Sequence, residues 1–581
     1  MKSIISIPSA RELLPALEWL PNYQRSWLKG DLSAGITVGI MLVPQSMAYA
    51  LLAGLPPVYG LYAGLVPTLV YALMGSSRHL AVGPVAISAL LVMAGVSQIA
   101  MPESEEFVRL ALIVGLSVGV LQAALSVLQL GFLVNFLSMP VVSGFVYASV
   151  VIITVSQLPV LVGLEAAHGH GGWWNQLFYV FDHVSEWKWV SFLIGATGIL
   201  LIWALGKWRK SFPGALVVVV IATIASAAGK WDIPLVGEIP SGLPRISAPE
   251  FSWTEVQQLF PTIFSVTIIG IVESISVAKT LESRHQYYEV RPNQELLGLG
   301  VAKIVGAFFQ AFPTSGSFSR SAVNDRMGGR TQLTGIITTA VLLLSLLFFM
   351  PLFYYLPKSI FASIIIVSIL GLFKWKQAVQ LYRIHREDFF MMLVTFLVTL
   401  VLGIEEGVLA GVLLSVVTVL YRSSQPPIVV LGQLKDSRVY RNIRRFKEAR
   451  ELDNILIVRF DAPLYFGNAA FFKKHLLKLA HKRSPDLQLL LLEASSITDM
   501  DSTGLKVLEE LREALAKKGI TLYMSGVLGR VRDLMYRSGF MFEVGPQNQF
   551  LQLQDAVDHF LEGEGIHPWV DEVAQSNDEK E

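Results

Sequence analysis

Twelve apolar stretches follow one another from about residue 31 to residue 421, at 31–53, 58–75, 107–130, 134–158, 187–206, 212–228, 258–281, 293–311, 331–350, 356–373, 389–402 and 407–421. A bilayer core about 30 Å thick is crossed by roughly 20 apolar residues in a helix. A helix also satisfies its own backbone where no water is present. The pattern therefore predicts a polytopic α-helical membrane protein. Only 16% of the residues are charged, against about 25% in soluble proteins. The charge is sparse up to about Tyr421 and dense afterwards, which predicts a soluble domain behind the membrane body. The expected divisions are an N-terminal cytoplasmic segment 1–30, a transmembrane region 31–421, a linker 422–435, a soluble domain 436–563 and an acidic, disordered tail 564–581.

The chain has no cysteine, which excludes disulfides, thiolate metal sites and a Cys nucleophile. Its formal net charge of +1 gives no reason to expect nucleic-acid binding. The polar start, with Arg11, Arg25 and Lys29, lacks the short apolar run and small-residue cleavage site of a signal peptide. The first apolar stretch is expected to stay as an anchor.

Loop charges set the orientation through the positive-inside rule. One side carries Arg78, Lys207, Arg209, Lys210, Arg284, Arg291, Arg326, Arg330, Lys374, Lys376, Arg383, Arg386 and Arg422. The other carries Glu103, Glu105 and Glu106, the His-Gly-His-Gly-Gly stretch 168–172, and Glu405 and Glu406, with Lys230, Arg245 and Lys358 as exceptions to the alternation. Both termini are accordingly expected in the cytoplasm. The alternation requires two further short elements, 84–96 and 316–325, to count as crossings completed by extended chain. They stand third in each half of a fourteen-element array. Matched interruptions in two halves point to an inverted repeat with a midplane site.

These interruptions carry the chemistry. Val82-Gly83-Pro84-Val85-Ala86-Ile87-Ser88 opens a helix with a tolerated proline. Pro313-Thr314-Ser315-Gly316-Ser317-Phe318-Ser319-Arg320-Ser321 supplies hydroxyls suited to helix capping. Two helices starting at mid-membrane aim free N–H groups and positive dipole ends at one point, where an anion is favoured. Arg320 adds a permanent charge there; a salt bridge to Asp325 or Glu273 is the competing reading. Glu273 lies deep in another apolar run. A carboxylate beside an anion site repels substrate until a proton or cation neutralises it, so Glu273 is a candidate coupling residue for H+ or Na+; pairing with Arg320 or a backbone N–H is its alternative. In Pro44-Gln45-Ser46-Met47-Ala48-Tyr49, Gln45 and Tyr49 share a helix face and suit a cavity wall, or, for Tyr49, helix packing.

The stretch Pro57-Val58-Tyr59-Gly60-Leu61-Tyr62, with Pro67, Tyr71, Gly75-Ser76-Ser77-Arg78-His79 and Gly83-Pro84-Val85-Ala86, resembles the signature of the SulP sulfate permeases, or solute carrier family 26. The segments around Gln45 and Arg320 match it too, and the resemblance covers nearly the whole chain. It implies a seven-plus-seven transmembrane inverted repeat like that of uracil permeases, with core elements 1–4 and 8–11 moving against a gate in an elevator-like cycle. It implies an anion site at Gln45, Tyr49, Val85, Ala86, Phe318, Ser319 and Arg320, with Val85 where some relatives carry an aromatic. It also implies a homodimer.

Beyond Pro426-Pro427, the runs 455–460, 487–492 and 520–524 read as strands and 468–481, 503–517 and 528–538 as helices, a small α/β domain. Ile497-Thr498-Asp499-Met500-Asp501-Ser502-Thr503-Gly504 resembles the loop of a STAS domain, in some members of which a hydroxyl is phosphorylated. Ser502 and Thr503 occupy that place, but capping of the next helix by Asp501 and Ser502 is the favoured reading and phosphorylation the alternative. A STAS domain also offers a surface to a cytoplasmic protein partner.

Together these features predict a secondary active anion transporter of the plasma membrane (the inner membrane of a Gram-negative cell), with sulfate the first substrate expected and H+ or Na+ coupled. Bicarbonate, chloride or dicarboxylate transport, anion exchange, an anion channel and a membrane sensor are the alternatives. No catalysis, cofactor or metal is expected.

Overall fold

A computed structural model describes residues 13–132, 138–164, 173–208, 212–435, 437–483 and 485–562. Arg11, the 168–172 stretch, Arg209, Lys210 and the 564–581 tail lie outside the described residues. The chain divides into two compact units, Met1–Val416 and Val417–Glu581.

The membrane region is built on fourteen helices: α1 Leu28–Leu52, α2 Pro57–Met74, α3 Ala86–Val96, α4 Glu105–Val127, α5 Met139–Ser156, α6 Trp189–Trp208, α7 Gly214–Gly229, α8 Phe260–His285, α9 Pro292–Phe308, α10 Phe318–Arg326, α11 Leu333–Phe348, α12 Lys358–Leu370, α13 Arg386–Leu402 and α14 Ile404–Ser424. Eight helical stretches among the described residues are long and apolar enough to cross a bilayer; α3, α7 and α11 are shorter apolar helices. Short amphipathic helices, Trp173–Asp182 and Trp375–Ile384, lie between the main ones.

Local chemistry sets several starts. Helices α2, α5, α8 and α9 carry proline at their first or second position, where its missing N–H costs nothing and its φ is already helical. Ser104 caps α4 by accepting from Phe107 N at 3.1 Å. Pro44 lies inside α1, which continues through it.

The packing has a repeating plan. Helix α4 packs on α9 as α2 packs on α11; α5 meets α13 as α6 meets α12; α1 meets α11 and α10 as α8 meets α4 and α3. Each of these contacts recurs when every index is shifted by seven. Small residues allow the closest approaches, as in helix packing within lipid. A Cβ on Gly60 of α2 would stand 1.9 Å from the Ser46 carbonyl oxygen of α1, so α2 seats its motif glycine directly on the α1 backbone.

The second unit is a seven-stranded sheet: β3 Ile428–Leu434, β4 Tyr440–Asn442, β5 Ala449–Arg450, β6 Ile455–Phe460, β7 Leu489–Glu493, β8 Thr521–Ser525 and β9 Gln549–Phe550, in the order β4-β3-β6-β7-β8-β9 with β5 beside β3. Strands β6 to β9 are parallel and β3 is antiparallel to β4, β5 and β6. The unbroken run Leu489-Leu490-Leu491-Leu492 reflects burial on both faces. Leu490 and Leu492 join the core formed with α15 Ala469–Arg483, α16 Ser502–Ala516 and α17 Gly529–Arg537, while Leu489 and Leu491 pack against α18 Leu553–Glu562. The stretch expected as a linker, 422–435, contains β3 from Ile428, so the connection after α14 is shorter. Its Val-Val-Leu core pairs with β6, which the prolines just before it had disguised.

Candidate anion site

Two short strands bring the two interrupted elements together. Strand β1, Val82–Gly83, pairs antiparallel with β2, Ser315–Gly316, in the register Val82↔Gly316 and Gly83↔Ser315. Ser317 N donates to Ala81 O at 2.9 Å, and Ala81 N donates to Ser321 Oγ at 2.8 Å. Each strand runs within a few residues into its half-helix, β1 into α3 and β2 into α10. The sheet thereby sets the two helix starts side by side, and the first N–H groups of each helix have no intrahelical acceptor. Ser317 caps α10 through its hydroxyl.

Arg320, on the first turn of α10, is 1% exposed. Its Nη1 donates to Pro84 O, at the entry to α3, at 3.0 Å. Its Nε and Nη2 have no hydrogen-bond partner. No carboxylate of the described residues lies within ion-pair distance. Asp325, one of the two expected counter-ions, binds Arg284 at 3.0 Å and His285 at 2.6 Å instead. The salt-bridge reading of Arg320 therefore fails, and its guanidinium keeps unpaired donors in a buried place. Gly83 makes room for it: a Cβ there would stand 3.3 Å from Nη2, and its φ of +155° suits glycine.

Tyr49, Glu273 and Arg320 lie near enough to sense one another's charge. Glu273 Oε2 and Gln45 Oε1 are buried without partners, so neither a pairing of Glu273 with Arg320 nor a backbone bond to that oxygen is formed. Ser88 Oγ and Thr314 Oγ1 are unpartnered as well. Val85 is the residue before α3 and Ala86 its first residue, both buried. Phe318 and Ser319 begin α10 on its exposed side, with Lys374 Nζ 5.1 Å from the centre of the Phe318 ring. Thus Gln45, Tyr49, Val85, Ala86, Glu273 and Arg320 lie within the packed α1, α3, α8 and α10 group, while Phe318 and Ser319 face outward from it.

Two buried carboxylates absent from the sequence reading brace this arrangement. Asp31 accepts from Arg330 N at 2.6 Å and from the Thr331 hydroxyl at 2.7 Å, tying α1 to the chain after α10. Glu295 accepts from Ser76 N, Ser76 Oγ and Ser77 N at 2.7–2.9 Å and from Tyr71 OH at 2.7 Å, tying α9 to the chain before β1. Acids in the first turns of apolar helices were the available signal.

His79, His285 and Asp325 gather three ligand-type atoms within 4.8 Å. The two imidazoles stack with 7° between their planes, so one ion cannot lie in both ring planes. Both nitrogens of His79 already meet the hydroxyls of Tyr287 and Tyr288 at 3.1 Å. The group clamps α8 to α10. In the second unit, Asp501 caps α16 by accepting from Gly504 N at 2.7 Å and also accepts from Phe466 N at 2.9 Å; Ser502 and Thr503 are the first two residues of that helix.

Residues 28–395 match the sulfate permease family, and residues 446–556 match the STAS domain. The chain is 39% identical to probable sulfate transporter 4.2 of Arabidopsis thaliana over 94% of this chain and 83% of that protein. It is also 39% identical to the chloroplastic sulfate transporter 4.1 of the same plant, over 94% and 82%. The murine solute carrier 26 family member A9 anion transporter, solved in an inward-facing state, superposes with a TM-score of 0.87 at 26% identity, covering 96% of each chain. The transmembrane domain of the cyanobacterial bicarbonate transporter BicA gives 0.59 at 23% identity over 68% of this chain and 98% of that one.

Proposed function

Because this chain belongs to the sulfate permease family, whose members are membrane anion transporters and not enzymes, we propose that it carries sulfate by secondary active transport coupled to H+ or Na+. One observation carries the reading: a buried, unpaired Arg320 between two half-helix starts. Each start contributes about half a positive charge, so together with the guanidinium they offer about two. That matches a dianion better than chloride or bicarbonate. The plant relatives named as sulfate transporters point the same way. Exchange or transport of another inorganic anion is the second reading, since the murine relative is named simply as an anion transporter.

In this reading the substrate meets Arg320 Nε and Nη2 and the N–H groups at the starts of α3 and α10. Gln45, Tyr49, Val85 and Ala86 form the walls, and Phe318 and Ser319 line the approach. A charged Glu273 opposes the dianion. A proton or Na+ bound there removes the opposition, so anion and cation load together. The contacts that recur after a shift of seven helices support a seven-plus-seven inverted repeat. An elevator-like movement of α1–α4 with α8–α11, a homodimer, a STAS unit that receives a cytoplasmic partner or a phosphate at Ser502 or Thr503, and cytoplasmic termini in a plasma or bacterial inner membrane complete the proposal. The chloroplastic relative makes an organelle membrane the other outcome of cell fractionation.

Uptake of labelled sulfate, bicarbonate, succinate or chloride into proteoliposomes under imposed pH and Na+ gradients tests the reading. Arg320→Ala should lose saturable uptake while eluting as a folded protein. Uptake with unchanged apparent affinity in that variant places the site elsewhere.

A further inference from the structure

The soluble unit is electrically lopsided. The sixteen residues from Lys435 to Arg450 hold seven Lys or Arg and two Asp or Glu, a balance of +5. From Glu451 to Glu562 there are 13 Lys or Arg against 15 Asp or Glu, a balance of −2. The cations occupy one end of the sheet: Lys435 and Arg438 in the β3–β4 turn, Arg441 on β4, Arg444, Arg445 and Lys447 in the β4–β5 connection, and Arg450 on β5. All seven are exposed, and none forms an ion pair or side-chain hydrogen bond with a described residue. β4 is the edge strand. Charge on an edge strand discourages unwanted pairing, but Arg444, Arg445 and Lys447 lie beyond that three-residue strand and are not needed for it.

We propose that this basic end of the soluble unit binds the headgroups of anionic phospholipids at the surface of the bilayer that the preceding helix leaves. Clusters of four to eight Lys or Arg just beyond a membrane helix bind anionic lipid through the negative surface potential. Ten residues lie between Ser424, the end of α14, and Lys435, eleven Cα steps in all. Extended chain covers at most about 40 Å over that distance, so the patch cannot stray far from the surface. The described remainder, at −2, is not drawn by the same field, so the +5 end is the part of the unit attracted to the membrane. The inference rests on the proposed cytoplasmic placement of the end of α14 at a bilayer surface, and it is independent of what the transporter carries.

The absence of cysteine makes the test direct. The full-length Val439→Cys protein, labelled at that exposed residue, is placed in nanodiscs of phosphatidylcholine alone or with phosphatidylglycerol, with an energy-transfer acceptor on the lipid headgroups. Transfer should rise with phosphatidylglycerol when the Debye length is about 10 Å, at 0.1 M salt, and fall back at 1 M, where it is about 3 Å. Each cation near the surface contributes roughly fivefold in binding. Arg441→Gln/Arg444→Gln/Arg445→Gln should therefore lower the docked-to-free ratio by about two orders of magnitude. Equal transfer in neutral and anionic nanodiscs overturns the proposal. So does a triple variant that still approaches anionic discs as the parent does. Loss of the parent's signal on adding soluble polyphosphate, with no response to lipid charge, would assign the patch to a soluble polyanion instead.

Discussion

At the scale of single residues, the site depends on groups that are buried and left without partners. Arg320 keeps Nε and Nη2 open, Glu273 keeps Oε2 and Gln45 keeps Oε1. Leaving such groups unpaired costs about 1–3 kcal/mol each, more when charged, and a ligand that satisfies them recovers that energy on binding. Glu273→Gln keeps the shape and removes the charge. On the proposed reading it should abolish sulfate accumulation driven by a pH or Na+ gradient and spare sulfate–sulfate exchange. Coupling that persists in this variant removes Glu273 from the mechanism. Gly83→Ala places a methyl against Arg320 Nη2 and strains a positive φ; it should raise the apparent KM for sulfate at least tenfold while the protein still folds. An unchanged KM would separate Gly83 from the site. Glu273 was legible in the sequence as a charge in an apolar run, and Arg320 as a charge in the hydroxyl-rich interruption between two such runs. The bracing roles of Asp31 and Glu295 were not, since their partners lie some 300 and 220 positions away along the chain.

Among the elements, the helices followed the apolar runs closely. The first short element, expected at 84–96, is Ala86–Val96, and the second, expected at 316–325, is Phe318–Arg326. Strands β1 and β2 were not legible. Two residues carry no periodicity, and their pairing bridges positions more than 230 apart. Strands β4, β5 and β9 and helix α18 escaped for a similar reason: the strands are short, and the helix lies in a polar C-terminal stretch. Contact between elements yields two expectations of its own. Gly60→Ala forces a methyl onto the Ser46 carbonyl, where backbone cannot yield, and should cost roughly 3 kcal/mol, read as a lower thermal midpoint in detergent. Glu295→Gln leaves N–H and O–H donors that converged on a carboxylate facing an amide, and should cost about 2–4 kcal/mol. A midpoint within one degree or so of the parent in either variant would contradict the packing assigned to it.

For the molecule as a whole, the acid limit of stability has an identifiable contributor. Burial, then the charge of His285 beside it, pushes the His79 ring down to about 4 from its ordinary 6.5. Between those values the unfolded chain holds more protons on this ring than the folded chain. The stabilisation is therefore complete above about pH 6.5 and is lost as pH falls toward 4. Melting curves of the parent and His79→Gln across that window should converge as pH drops, and parallel curves would show that the clamp does not titrate. The β1–β2 pair has a further consequence. Because it stitches the two half-helix starts into one piece, an anion held between them on the proposed reading would meet the same set of donors whichever aqueous side the piece is open to. A site of that kind has no preferred direction of its own. On the proposed reading it would act as a reversible loader, with the gradients outside the protein deciding whether the cell gains or loses anion.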